Sequence, residues 1–334
     1  MRRRSVLLAV PAGLLALAGC NDDSGSEKGQ KVRASEPGET ASSAPPAPTG
    51  KVVSGPLPEI TSGAKFGQKP TVAKGPGQPS RDLAVRVHST GDGPTVGKGD
   101  YLRVNYSGQI WKTARVFDSS WKKGSPALFP IGIGQVIPGW DQALVGKKVG
   151  SRVEMAIPPA LGYGEQGAPQ VGIKGDDTLV FVVDILDTFT ATSSAKGATV
   201  AQDDKDLPKV GTNTDGKAPE ITIPKTDAPK KLVAEYVIEG DGPKVKATDS
   251  VLVQYKGVLW DGGKEFDSTY KRKQPTQFSL QQVVKGWSQG LTGKKAGSRV
   301  MIVIPPELGY GNQEQQGIPA NSTLVFSVDI LAVL

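Results

Sequence analysis

Apolar and polar residues alternate with a period of two along several short stretches of the chain. Leu102, Val104 and Tyr106 interleave with Arg103 and Asn105; Val251, Val253 and Tyr255 repeat the pattern; Val153, Met155 and Ile157 interleave with Arg152 and Glu154. This period buries one face of each strand and predicts antiparallel sheet with a polar face outward. Leu179–Leu186 is apolar almost throughout and predicts a central strand. A helical period appears only briefly. Ile137, Trp140 and Leu144 follow it, as do Val284, Trp287 and Leu291, with Pro138 near the start of the first and Gly146 just past its end. A sheet wrapped over one short helix, with the tryptophan face of that helix pressed into the concave side, is an α+β unit.

The pattern occurs twice because the sequence does. Gly91-Asp92-Gly93-Pro94 returns as Gly240-Asp241-Gly242-Pro243, Phe117-Asp118-Ser119 as Phe266-Asp267-Ser268, and Val136-Ile137-Pro138-Gly139-Trp140 as Val283-Val284-Lys285-Gly286-Trp287. Ile157-Pro158-Pro159 with Gly162-Tyr163-Gly164 returns as Ile304-Pro305-Pro306 with Gly309-Tyr310-Gly311, and Thr178–Phe181 as Thr323–Phe326. The offset falls from 149 residues to 147 and then 145, each change lying between motifs, where loops absorb insertions at little cost. So long a period marks two whole domains rather than a solenoid. Leu57-Pro58 and Leu207-Pro208 place the domains at 57–189 and 207–334, with a linker at 190–206.

The amino terminus differs in kind. Arg2, Arg3 and Arg4 precede an apolar run, Ser5–Ala18, that is shorter than the roughly 20 residues a bilayer core requires. The run reads as a secretory signal peptide, residues 1–20. It ends in Leu17-Ala18-Gly19-Cys20, and Cys20 is the one cysteine of the chain. That ending resembles the bacterial lipobox, which implies cleavage before Cys20, diacylglycerol on its sulfur and a position on the outer face of the bacterial cytoplasmic membrane. An ordinary signal peptide with an incidental cysteine is the competing reading, and Sec and twin-arginine export are both open. Residues 21–56, rich in Ser, Gly, Glu, Pro and Ala without apolar periodicity, read as a disordered tether.

Composition narrows the chemistry. One Cys and one His exclude intramolecular disulfides and a thiol- or histidine-rich metal site. Without the signal-peptide arginines, 37 basic residues face 33 acidic ones, an even balance that gives no reason to expect nucleic acid. His88 reads as a strand residue and Asp176-Asp177 as a turn.

The ordered set Tyr-x-Gly, Phe-Asp-Ser, Val-Ile/Val-x-Gly-Trp, Gly-Tyr-Gly after Ile-Pro-Pro, and Thr-Leu-Val-Phe, present twice, resembles the FKBP-type peptidyl-prolyl cis-trans isomerases. The resemblance implies two FKBP-like domains and a proline pocket in each. Trp140 would form the floor of the first, with Tyr106, Phe117, Val136, Ile137, Tyr163 and Phe181 as walls and Asp118 at the border. In the second the floor is Trp287, the walls are Tyr255, Phe266, Val283, Val284, Tyr310 and Phe326, and the border residue is Asp267. The N–H of Ile137 or Val284 would bind the substrate carbonyl beyond the proline, and the hydroxyl of Tyr163 or Tyr310 would donate to a substrate carbonyl. Asp118 and Asp267 read equally well as turn formers. The partners implied are proline-containing polypeptides of secreted or cell-surface proteins, and the family's macrolide ligands, met by a monomer that needs no cofactor or metal. A non-catalytic proline-peptide binding or chaperone module, with the first domain mainly binding, is the alternative; residue content does not separate the two.

Two departures from the family pattern stand out. Ala127 and Thr276 occupy a place where many members carry an aromatic, with Phe129 and Phe278 two residues on. The second copy has Ile318-Pro319-Ala320-Asn321-Ser322-Thr323 in its last loop, whereas the first has Ile173-Lys174-Gly175-Asp176-Asp177-Thr178, a more acidic loop expected to be looser without its prolines.

Overall fold

The computed structural model describes residues 48–334. The expected signal peptide, Cys20 and the expected tether as far as residue 47 lie outside the described residues. The first lobe runs β1 (Val52–Val53), β2 (Ile60–Ser62), β3 (Thr71–Val72), β4 (Leu83–Ser89), β5 (Tyr101–Ile110), β6 (Val116–Ser119), α1 (Ser120–Lys123), β7 (Ala127–Pro130), α2 (Pro138–Leu144), β8 (Arg152–Ile157) and β9 (Leu179–Phe189). The second runs β10 (Ala198–Thr199), β11 (Lys209–Val210), β12 (Ile221–Thr222), β13 (Val233–Glu239), β14 (Ser250–Leu259), β15 (Glu265–Ser268), α3 (Thr269–Arg272), β16 (Thr276–Ser279), α4 (Lys285–Leu291), β17 (Arg299–Ile304) and β18 (Leu324–Val333).

The sheets have one topology. Strand order is β1-β4-β8-β9-β5-β6 in the first lobe, with β7 beside the other half of β5; it is β10-β13-β17-β18-β14-β15 in the second, with β16 beside β14. The apolar run Leu179–Leu186 falls within β9, between β8 and β5, with its first residues buried on both faces. All pairings in the large sheets are antiparallel except that of β1 with β4.

One helix lies in each concave face. Pro138 opens α2, which buries Gly139, Trp140, Ala143 and Leu144. It lies so close to β8 that a methyl group at Gly139 would stand 2.6 Å from Ile157 Cγ2, and at Gly286 of α4 one would stand 2.4 Å from Ile304 Cγ2. The glycine before each tryptophan is therefore a condition of the helix–sheet approach.

The outer faces correct the sequence reading in two places. Alternation predicted a polar face toward solvent, yet Arg152 and Glu154 of β8 are fully buried. The cause is a strap: residues 57–80 cross the convex face, with Leu57 and Val72 packed on Ala84, Trp111, Ala156, Val180 and Val182. Arg152 pairs with buried Asp184 at 2.6 Å and donates to the carbonyls of Gly63 and Gln68, while Gly67 N–H donates to Asp184 at 2.8 Å. The second lobe repeats the device with Arg299 and Asp329, which hold Gly211, Asn213 and Ala195.

The boundaries move as well. The tether drawn to residue 56 ends earlier: Val52–Val53 pairs with Leu83–Ala84, and Gly50 N–H donates to Gln142 of α2 at 2.9 Å. Residues 190–206 are no free linker, because Ala195 is buried against the second sheet, Lys196 N–H donates to Gly297 at 2.7 Å, and Ala198–Thr199 is that sheet's edge strand. Backbone hydrogen bonding ordered both segments despite their lack of apolar period.

Candidate functional site

Within each concave face the aromatic side chains converge on the tryptophan of the helix. Trp140 meets Tyr106, Phe129 and Phe181 edge-on, with ring centroids 5.4, 5.4 and 5.3 Å away and interplanar angles of 84, 82 and 87°. Trp287 meets Tyr255, Phe278 and Phe326 at 5.3, 5.4 and 5.3 Å and 88, 75 and 90°. Edge-on packing sets the positive rim of one ring against the negative face of the next and fixes the cluster geometrically. Phe117 and Phe266 stand edge-on to Phe181 and Phe326 at 5.5 and 5.4 Å.

The glycine of Tyr-x-Gly makes this possible. A methyl group on Gly108 would lie 2.5 Å from Phe181 Cε1 and 2.8 Å from Phe117 Cζ; on Gly257 it would lie within 2.8 Å of both Phe266 and Phe326. Two strand residues away, the tyrosine N–H is locked from the side. Tyr106 N–H donates to Ser120 Oγ and Tyr255 N–H to Thr269 Oγ1, each at 2.8 Å.

All sixteen residues singled out in the two copies fall in these two clusters or on their borders. Tyr106, Trp140 and Phe181, like Tyr255, Trp287 and Phe326, are almost fully buried. Phe117, Val136, Ile137 and Tyr163 are half-buried against the first core, and Phe266, Val283, Val284 and Tyr310 against the second. Asp118 and Asp267 each accept two kinds of hydrogen bond. Each accepts from the serine N–H after it, at 2.8 and 2.7 Å, and each also accepts from the tyrosine hydroxyl of Tyr106 or Tyr255. Ile137 and Val284 cap their helices, and among the described residues neither N–H donates to a protein acceptor. Tyr163 and Tyr310 lie within short turns closed by Gly164 N–H to Pro159 and Gly311 N–H to Pro306, at 2.9 and 2.8 Å.

Burial sets the electrostatics. It pushes the Tyr106 and Tyr255 hydroxyls far above their ordinary value of 10, and the neighbouring aspartates add to the shift. Tyr163 and Tyr310 are raised by burial and then by the charge of Asp118 and Asp267. All four phenols therefore remain protonated donors at physiological pH.

Four residues of the cluster were not assigned to it from the sequence. Phe129 and Phe278 complete the box from β7 and β16, so the aromatic missing at Ala127 and Thr276 is supplied two residues on, one pleat along on the same strand face. Lys123 pairs with Asp118 at 2.7 Å and reaches the Tyr106 hydroxyl at 3.3 Å; Arg272 pairs with Asp267 and reaches the Tyr255 hydroxyl at 3.0 Å. The repeat held the signal for all four, since each pair is of one residue class at one offset. The Ile173–Thr178 loop is closed without prolines: Ile173 is buried, and Asp177 accepts from Lys174 N–H at 2.8 Å.

The family description "FKBP-type peptidyl-prolyl cis-trans isomerase" matches residues 93–186 and 242–331. The chain is 44% identical over 119 residues to "FK506-binding protein" of Streptomyces anulatus, a match that takes in 36% of this chain and 96% of the relative. It is 50% identical over 102 residues to "FKBP-type peptidyl-prolyl cis-trans isomerase FkpA" of Escherichia coli (strain K12), covering 30% of this chain but only 37% of that protein. Among solved structures, FkpA from Escherichia coli matches over 30% of this chain and 47% of that one, with a TM-score of 0.29. By the two family matches, which together span more than half of its length, the chain belongs to the FKBP-type peptidyl-prolyl cis-trans isomerases.

Proposed function

We propose that this chain isomerises X–Pro bonds of secreted or cell-surface polypeptides at two aromatic pockets, and that it is held as a monomer on the outer face of the bacterial cytoplasmic membrane by a lipid on Cys20. One observation carries the catalytic reading: the same box of tryptophan, tyrosine and phenylalanines is built twice, to within a few tenths of an ångström in centroid spacing. The location rests on the basic, apolar and Leu-Ala-Gly-Cys run of residues 1–20.

The chemistry asked of the pocket is modest. An X–Pro bond turns over a barrier of roughly 18–20 kcal/mol without any bond breaking. The planar amide is stabilised by resonance, and water solvates its charge separation. The twisted amide has lost that resonance and is less dipolar, so a dry aromatic box favours it relative to the planar state. Each tenfold in rate needs about 1.4 kcal/mol of such preference. Trp140 or Trp287 would underlie the proline ring, with the Tyr and Phe walls excluding water. The free N–H of Ile137 or Val284 would hold the carbonyl beyond the proline, and the Tyr163 or Tyr310 hydroxyl, kept protonated, would donate to a second carbonyl. Asp118 and Asp267 would fix the Tyr106 and Tyr255 rings.

The test is cis–trans exchange on a proline peptide, with and without Trp140→Ala plus Trp287→Ala. Loss of acceleration is expected, and an unchanged rate sinks the reading. Radiolabelled palmitate incorporated by the natural chain and lost in Cys20→Ala tests the anchor.

A further inference from the structure

The stretch from Tyr163 to Phe181 begins and ends on a residue of the candidate pocket, and between them it loops away from the sheet. Two of its side chains anchor it inside. Ala168 and Ile173 are buried in the cluster that contains Trp140 and Phe181, and Phe117 and Tyr163 pack against the same cluster. Ala168 and Ile173 also pair with each other, each N–H donating to the other's carbonyl at 2.9 and 3.1 Å. The loop so closed is gripped from outside by the hairpin of β5 and β6. Arg115, two residues before Phe117, donates by one nitrogen to the carbonyl of Val171 at 3.1 Å and by the other to that of Gly172. Gly172 has φ 74°, and a methyl group there would stand 2.7 Å from the Arg115 guanidinium, so the arginine fills the space that a side chain would take. From the same hairpin Lys112 pairs with Asp176 at 2.8 Å.

The second lobe holds the equivalent loop by other means. From Tyr310 to Phe326 it is two residues shorter. It lies against the same strand, since a methyl group on Gly317 would stand 3.8 Å from Phe266 Cβ. Its bonds are internal: Asn321 N–H donates to Gly311 and the Ser322 hydroxyl to Pro319, each at 2.7 Å, and the ring of Pro319 fixes its own backbone. The outside grip is missing from the sequence. Lys264 stands in the place of Arg115, with one nitrogen where the guanidinium sets two in a fork. Asp261 stands for Lys112 and Asn321 for Asp176, a combination that forms no ion pair.

We infer that Arg115 is a positioning residue of the first pocket: it latches the 163–178 segment to the strand of Phe117 and Asp118, the work that Pro319 and the loop's own bonds do in the second. The inference rests on the proline-pocket reading above and names what keeps the first pocket assembled. Two walls of that pocket, Tyr163 and Phe117, come from separate stretches of chain, and the guanidinium ties those stretches together across the surface. A client that met an unlatched segment would have to order it on binding, so the loss would fall on affinity and not on the turning of the bond.

The full chain, with the second pocket silenced by Trp287→Ala, is assayed by NMR line-shape analysis of cis–trans exchange on a proline peptide. Arg115→Ala should raise KM about three- to tenfold while kcat stays within about twofold, and should speed amide exchange at Ala168 and Ile173 but not in the β9 core. Arg115→Lys, which keeps the charge and loses the fork, should fall between. Lys264→Ala, in the converse chain carrying Trp140→Ala, should leave the KM of the second pocket unchanged. An unchanged KM in Arg115→Ala overturns the inference even if amide exchange quickens, and so does an equal rise in Lys264→Ala. If a tryptophan variant does not fold, the indole resonance of Trp140 in the chain with both pockets intact reads the dissociation constant of the first pocket, and the same shift decides. A parent chain that accelerates nothing sinks the isomerase reading instead, and the dissociation constant read at Trp140 then decides the inference.

Discussion

Removing the carboxylate of Asp184 is expected to peel the first strap from its sheet. Arg152 is buried and makes four hydrogen bonds: two to Asp184, at 2.6 and 2.7 Å, and one each to the carbonyls of Gly63 and Gln68. Asp184→Ala leaves the guanidinium in place with two neutral carbonyls, under a cover that excludes water, and strips Gly67 N–H of its acceptor. Deleting one partner of a buried pair costs about 3–5 kcal/mol. The strap can escape part of that cost by lifting, which rehydrates the charge but exposes Trp111, whose indole N–H donates to Gly77 at 3.1 Å and on whose ring Gly75 lies. Urea unfolding followed by tryptophan fluorescence should show the loss, and amide exchange at Gly67 and Gly75 should accelerate more than at the β9 core. Arg152→Met with Asp184→Leu removes both charges together and should cost less than Asp184→Ala alone. A single variant within about 1 kcal/mol of the parent, or a double variant worse than the single, refutes the account of the strap as clamped by the pair. The strap lies ahead of the family match at 93–186, so the experiment also asks whether the matched region suffices as a folding unit.

Three further outcomes follow from the geometry. Glu154 is fully buried, bonded by one oxygen to His88 at 2.8 Å and facing Arg86 across the strand pair, with its other oxygen unpartnered among the described residues; burial raises its carboxyl above the ordinary 4.5. The folded chain thus holds that proton more tightly than the unfolded one, and stability falls as pH rises above 4.5 through the folded value. Glu154→Met, the residue the second lobe has as Met301, should stabilise by about 1–3 kcal/mol at pH 8 and by less at pH 4; equal gains in thermal unfolding at both would contradict this. Gly108→Ala drives a methyl group into Phe117 and Phe181, so a loss of about 1–3 kcal/mol should come with slower isomerisation by the first pocket, and parent-level stability and rate would show that the rings are not seated as described. Asp141→Ala frees the N–H groups of Gly132 and Gly134 and should speed their hydrogen exchange at least tenfold, since two bonds to a charged acceptor are lost; unchanged protection would mean that the glycines hold the loop unaided.

What was legible in the sequence was whatever depends on the identity of side chains. Trp140, Tyr106 and Phe181 were placed through the ordered motifs that resemble the FKBP family, and the structure shows Gly108 and Gly139 to be where a ring or a helix touches a strand. Boundaries were lost where backbone supplied the order. Residues 50–56 and 190–206 join the sheets through N–H and carbonyl groups, which every residue has. Arg152 misled for the same reason: its alternation with Val153 was sound, but what the polar face met was chain rather than water. Lys123 and Arg272 differ in type, and only their common offset ties both to the pocket aspartate.

The two lobes separate what a site demands from what a fold merely requires. Their covers differ at the edge strand, where β1 joins its sheet in parallel and β10 in antiparallel, while each strap is a two-stranded hairpin, β2–β3 or β11–β12, that lays backbone carbonyls against the equivalent buried arginine. Covering the convex face is a requirement for any chain that excludes water and offers acceptors. The concave end tolerates no such freedom. There the tryptophan, the tyrosine and two phenylalanines recur with ring angles that agree within 7°, because edge-on packing depends on ring shape and not on backbone.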